Sequence, residues 1–157
     1  MNNKCLAAVV TEPKKIEIQE VEIPDIPSDG ALLRVEASSV CGSDWPRFLK
    51  KNDNPYIIGH ENAGHIVKIG SEAQKKWNVK EGDRVGLEEY LPCGVCSFCR
   101  SGAFRDCKAT DSRSNDSLRY GVTSLAVEPK LWGGYSQYLY VSPRAVLHKI
   151  PSHIPAQ

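Results

Sequence analysis

Over much of the chain, apolar positions recur every second residue, the period of a half-buried β-strand. Lys4–Val10 is a short, largely apolar run. Ile16, Ile18, Val21 and Ile23 interleave with Lys15, Glu17, Gln19, Glu20 and Glu22, and one slip near Glu20 predicts a β-bulge or bend. Pro24, Pro27 and Gly30 interrupt the pattern before Ala31–Val40 resumes it. Ser43–Lys51 predicts one or two helical turns, with Ser43 or Asp44 as N-cap and Pro46 in the first turn. Asn62–Ile69 alternates again and stops at Gly70, and Glu81-Gly82-Asp83 reads as a turn into a strand over Arg84–Leu87. Ala109–Lys130 is polar and weakly periodic, which predicts a loop. An aromatic strand is predicted from Trp132-Gly133-Gly134-Tyr135 to Val141, and a shorter one over Ala145–Ile150. Many short strands, frequent turn signals and minor helix predict a mainly β domain of barrel or sandwich type.

Composition narrows the function classes. At 157 residues, 41% hydrophobic and 25% charged, the chain is long enough and apolar enough for one ordered core. Twenty Lys and Arg against nineteen Asp and Glu leave a net charge of +1, no field for drawing in nucleic acid or an anionic membrane. The longest apolar run, Cys5–Val10, is too short to span a bilayer, and Met1-Asn2-Asn3-Lys4 does not open a signal peptide. A cytoplasmic location is therefore expected, where thiols stay reduced and the Asn115-Asp116-Ser117 sequon carries no meaning. In that setting the six cysteines read as metal ligands, reactive thiols or buried thiols before they read as disulfides.

Four of them stand as Cys93-x2-Cys96-x2-Cys99-x7-Cys107, in a stretch running from Pro92 to Cys107. Four thiolates so close in sequence can close a tetrahedron around zinc, and Gly94 and Gly102 let the backbone turn enough for the sulfurs to converge. Two disulfides are disfavoured by the reducing compartment. An iron–sulfur cluster of the bacterial ferredoxin type would have a last gap of three residues and a following proline; the gap here is seven. A four-thiolate site is closed, so its role is structural.

A second constellation is Cys41-Gly42-Ser43-Asp44 with Gly59-His60-Glu61 eighteen residues on. Each piece alone is weak, since a lone Cys or His is more often a buried or surface residue than a ligand. Together they offer a thiolate, an imidazole and two carboxylates, the inventory of a catalytic zinc site that leaves one position open. Asp44 can hold the outer nitrogen of His60, which fixes the tautomer of a ligating imidazole.

Taken in order, Cys41-Gly42-Ser43-Asp44, Gly59-His60-Glu61-x-x-Gly64, Gly82-Asp83-Arg84-Val85, the four-cysteine lobe and Gly133-Gly134-Tyr135 resemble the zinc-dependent medium-chain dehydrogenases. That family includes alcohol, threonine and polyol dehydrogenases, and the match runs from about Lys4 to Ile154. The resemblance implies a GroES-like, partly open β-barrel over residues 1–157, with a small zinc lobe at about 92–108. It implies that Cys41 and His60 hold a catalytic zinc, with Glu61 ligating it or staying close. It implies that Ser43 passes the substrate proton, that Asp44 partners His60, and that Cys93, Cys96, Cys99 and Cys107 hold a structural zinc. The implied reaction oxidises a small-molecule secondary alcohol, polyol or sugar alcohol, phosphorylated or not, to a ketone or aldehyde by hydride transfer to NAD or NADP, in a full-length enzyme that is a homo-oligomer.

The sequence departs from that pattern in two places. There is no Gly-x-Gly-x-x-Gly and no βαβ pattern, so a nucleotide-binding Rossmann domain is expected to lie outside this chain. The third protein ligand to the catalytic zinc is expected beyond it as well, and the chain alone is expected to be inactive. Pro46 occupies the place where alcohol dehydrogenases carry a relay histidine, so the proton must leave by another route. Ser43-Asp44-x-Pro46-Arg47 is similar to sugar-alcohol phosphate dehydrogenases, and Arg47 can pair bidentately with a phosphate or carboxylate. The general tendency of arginine favours a solvated helix surface instead. Trp45 either lines the pocket or packs. His65, His148 and His153 read as surface residues and Cys5 as a buried thiol. The competing reading is a truncated, non-catalytic zinc-binding module.

Overall fold

The computed structural model describes residues 3–111 and 117–155; residues 112–116 of the predicted loop, with part of the sequon, lie outside this range. Two antiparallel sheets form the body. In the first, β1 (Lys4–Glu12) pairs with β2 (Lys15–Glu22) on one side and with β4 (Tyr56–Ile57) on the other. The second contains β3 (Ala31–Ser39), β5 (Glu61–Ile69), β6 (Arg84–Leu87), β7 (Tyr138–Val141) and β8 (Leu147–Lys149), in the order β7-β3-β5-β6-β8. The sheets do not close on each other, so the architecture is the partly open, mainly β barrel that the sequence implies. Alternating inward residues such as Val9, Leu33, Ile66, Val85 and Leu139 fill the space between the sheets and are buried. Trp132 packs edge-on against Tyr140, with ring centroids 5.5 Å apart.

Among the described residues three short helices interrupt the strands: α1 (Asp44–Leu49), α2 (Ser71–Trp77) and α3 (Ser97–Arg100). Ser43 caps α1, as predicted, but its side chain makes no capping hydrogen bond. α2 is absent from the sequence reading. It buries only Ala73 fully and leans Trp77 on the core, too few apolar positions to show a helical period. Among the described residues no helix is long and apolar enough to cross a membrane.

Two expectations are corrected. The β1–β2 register runs unbroken through Glu20, and the irregularity lies instead between Val10 and Glu12, beside the hairpin turn. The slip in the pattern is a change of which face is apolar: Val21 points into the core while Ile16 and Ile18 are exposed. The strand expected from Trp132 begins only at Tyr138. From Trp132 to Gln137 the chain is a strap between the sheets, bonding Gly134 N–H to Gly59 O, Tyr135 N–H to Ile58 O and Gln137 N–H to Leu6 O. The strap lies so close that a Cβ on Gly134 would fall 1.6 Å from Asn62 Oδ1, and one on Gly133 2.0 Å from Ile57 O. The glycine pair therefore marks a close backbone approach and not a strand start.

Candidate metal centres and the cleft between them

The cysteine lobe hangs between β6 and β7. Cys93 precedes α3, Cys96 caps it, Cys99 lies within it, and Cys107 follows a 3₁₀ turn over Phe104–Asp106. All four side chains converge, with their sulfurs within 4.8 Å of one another. Cys96 Sγ lies 3.5 Å and Cys93 Sγ 4.0 Å from Cys99 Sγ. These separations bracket the ~3.8 Å expected between sulfurs of a tetrahedron with ~2.3 Å zinc bonds, and are far from the ~2.0 Å of a disulfide. All four thiols are free. Backbone N–H groups of Val95 and Cys96 hold the Cys93 thiol down at about 6. Burial, then the neighbouring Cys96, push Cys99 up to about 12. Four thiols this close cannot all ionise without a cation among them, so the donor set fits zinc.

The second set forms where β3 ends and β5 begins. Ser39 pairs with Glu61 across the two strands, so Cys41, just past β3, arrives beside His60 and Glu61. Gly59 makes the turn possible: its φ is +98°, and a Cβ there would lie 2.6 Å from the Tyr135 ring. The ligating atoms of Cys41, His60 and Glu61 lie within 4.8 Å of one another. The Ser43 hydroxyl stands 3.4 Å from Cys41 Sγ and 3.4 Å from His60 Nε2.

One buried carboxylate ties this set together. Asp44 Oδ2 accepts the Cys41 backbone N–H at 2.9 Å, and Oδ1 lies 3.1 Å from His60 Nδ1. Arg47 Nη1 also approaches that nitrogen, at 3.4 Å. The guanidinium can only donate and would favour a lone pair there, but the carboxylate, which can only accept, is nearer, so the ring proton is assigned to Nδ1, leaving the Nε2 lone pair free. The 3.1 Å approach is not well aligned, and Asp44 Oδ1 is a buried oxygen without a full hydrogen bond. An imidazole fixed by a cation on Nε2 is the donor that oxygen lacks, so this set too fits a metal.

Cys41, Ser43, Arg47, His60 and Glu61 line a cleft of about 610 Å³. Glu89, just past β6, faces them: its Oε2 lies 4.0 Å from His60 Nε2. Arg47 turns inward, bonding Glu89 Oε1 at 3.2 Å, and is not the solvated surface residue that general tendency favours. Arg119 Nε reaches the same oxygen at 2.7 Å. Glu89 and Arg119 were missing from the sequence reading. Glu89 sits at a strand end, a common place for site residues, but no spacing links it to a loop arginine thirty positions later. Of the histidines, His148 is exposed on β8 yet lines the cleft, while His65 lies 3.8 Å from Glu36 outside it. Trp45 is largely exposed and packs on Phe48 at 6.0 Å. Cys5 is buried, as read.

The description "Alcohol dehydrogenase GroES-like domain" matches residues 27–152. The chain belongs to this family. It is 34% identical over 146 residues to a probable alcohol dehydrogenase of Mycobacterium tuberculosis, covering 92% of this chain and 39% of that protein. It is 31% identical to the erythritol/L-threitol dehydrogenase of Mycolicibacterium smegmatis, covering 98% of this chain and 42% of that one. Among solved structures, the acetophenone reductase of Geotrichum candidum in complex with NAD superposes with a TM-score of 0.76 at 26% identity, covering 99% of this chain and 42% of that one. The chain thus spans about two fifths of the length of the relatives it matches, and as a domain of zinc-type, medium-chain dehydrogenases it is a portion of an oxidoreductase fold.

Proposed function

We propose that the cleft is the metal-binding half of the active site of a zinc- and NAD(P)-dependent dehydrogenase acting on a secondary alcohol, polyol or sugar alcohol. The observation that carries this reading is the convergence of Cys41, His60 and Glu61 with the Ser43 hydroxyl 3.4 Å from two of them. Cys41 and His60 would hold a catalytic zinc, with Glu61 as a third or standby ligand. Zinc bound there supplies Lewis acidity toward the substrate hydroxyl. A bound nicotinamide would supply the hydride acceptor that the side chains here lack.

This chain's own residues supply the rest. Ser43 lies where it can accept a hydrogen bond from the substrate hydroxyl and pass its proton on. Pro46 offers no relay, so the proton leaves from Ser43 to water in the open cleft. Asp44 keeps Cys41 and His60 in place and holds the His60 tautomer. The lobe cysteines would hold a second, structural zinc, whose binding energy is folding energy for the lobe. We further propose that the complete enzyme is a cytoplasmic homo-oligomer. A non-catalytic zinc module would account for the lobe but gives no reason for a buried aspartate that grips Cys41 and His60 together.

Zinc per chain, measured by elemental analysis on the parent and on Cys93→Ser, tests the reading. Two zincs falling to one mean that Cys41, His60 and Glu61 hold metal. One falling to none means that only the lobe is filled, and the catalytic reading fails.

A further inference from the structure

One wall of the cleft, which reaches His60 through Arg47 and Glu89, has a chemistry that metal binding and proton transfer do not use. Arg47, Arg105 and Arg119 all line it, from α1, from the turn after α3 and from the segment before Tyr120. Glu89 Oε1 receives both Arg47 and Arg119, so one carboxylate is shared by two guanidiniums and positive charge is left over. Arg119 also donates to Tyr90 Oη at 3.3 Å and stacks over the Tyr90 ring at 4.4 Å. Arg105 stacks over the same ring at 5.1 Å, is exposed, and has no carboxylate partner among the described residues. Stacking fixes a guanidinium in place without neutralising it. Glu61 and Glu88 also line the cleft, but Glu61 belongs to the metal trio and no side-chain bond joins Glu88 to these arginines.

A surface arginine with nothing to bind has no need of this support. Here Glu89 and Tyr90 hold two guanidiniums and steady a third, with donors left over on each and the metal-binding set in the same cleft. We propose that Arg47, Arg105 and Arg119 form an anion subsite, and that the alcohol entering the cleft carries a carboxylate or a phosphate. This deepens the dehydrogenase reading and rests on it. The planar donor fork of arginine matches both anions, and the cleft volume suits a small molecule with an anion at one end and a hydroxyl at the other.

The test is an NMR titration of the zinc-loaded chain that follows the arginine Nε–H resonances. Inorganic phosphate and acetate are the two anionic probes and glycerol is the neutral control. Phosphate or acetate is expected to shift the Arg47, Arg105 and Arg119 signals, and the stronger of the two tells which anion the substrate bears. Arg119→Gln and Arg105→Gln are each expected to weaken that anion about tenfold or more. Arg119→Gln also cuts a tie to Glu89, so Arg105→Gln, at an exposed residue, keeps the result interpretable if the first variant is unstable. Neither anion binding the parent would overturn the subsite. So would both variants binding as the parent does, because the anion would then sit on the metal or elsewhere. Zinc content is measured on the same samples: full metal without anion binding sinks the subsite alone, whereas no metal at Cys41 and His60 sinks the dehydrogenase reading and the subsite with it.

Discussion

Asp44→Asn changes one atom of a buried side chain and tests the metal assignment of the cleft. In the parent, one carboxylate oxygen takes the Cys41 N–H at 2.9 Å and the other faces His60 Nδ1 at 3.1 Å. An asparagine has one oxygen and one NH2. If its oxygen stays on Cys41 N–H, its NH2 faces His60 Nδ1, which must then become the acceptor. The ring proton moves to Nε2, the atom that would hold zinc, and ligation is blocked. If the amide flips, the oxygen serves His60 but the NH2 meets the Cys41 N–H donor to donor. The first arrangement gives up the ligating tautomer and the second one buried polar interaction, at a cost of ~1–3 kcal/mol. Zinc at this site should weaken by about 10- to 100-fold, the range seen for outer partners of metal-bound histidines. The assay is competition with a chromophoric chelator, which removes the weak zinc before the one in the lobe. The lobe zinc should be unchanged, since Asp44 touches none of its cysteines. Equal retention of both zincs in parent and variant would refute the role given to Asp44 and the tautomer assigned to His60.

Two further outcomes follow from the fold. Gly134→Ala places a methyl 1.6 Å from buried Asn62 Oδ1 and should cost ~1–3 kcal/mol in chemical denaturation, while an unchanged midpoint would mean that the strap is not tightly seated. Asp83 accepts the Lys80 N–H at 2.8 Å and pairs with Lys149 at 2.8 Å, and the lysine, then the N–H, hold its carboxyl below the usual carboxylate range. A depressed native value contributes stability above the unfolded value of about 3.9, lost as pH falls through the native one. Asp83→Asn should therefore melt lower than the parent near neutral pH and converge with it in acid, and a gap that persists into strong acid would count against the pairing.

The donor sets were legible because they are written in sequence. Cys93, Cys96, Cys99 and Cys107 lie in one short stretch, and Cys41 and His60 sit at facing strand ends that alternation and turn signals locate. The strands β1, β3, β5 and β6 were legible for the same reason. What stayed hidden depends on pairings with no local signal. Arg119 reaches Glu89 because Tyr90 and Arg119 form an isolated bridge and Tyr120 N–H bonds Glu89 O, and neither contact leaves a trace in composition. The same holds for the strap at Trp132–Gln137, whose aromatic and glycine content imitates a strand while its hydrogen bonds go to both sheets. Frequency alone places Arg47 on the surface, and its inward turn follows from Glu89 and His60, both of which its guanidinium meets.

The lobe is joined to the body at a narrow neck. Arg144, after β7, donates to the carbonyls of Leu91, Pro92 and Ala109, so one guanidinium clasps the chain where it leaves for the lobe and where it returns. Leu91 is itself fully buried. An excursion whose two ends are already clasped adds little closure entropy when its length changes. Evolution can therefore lengthen the lobe, reshape it or strip it of its cysteines while β6 and β7 keep their places, and on the lobe's side of the cleft it is Arg105 that would register the change.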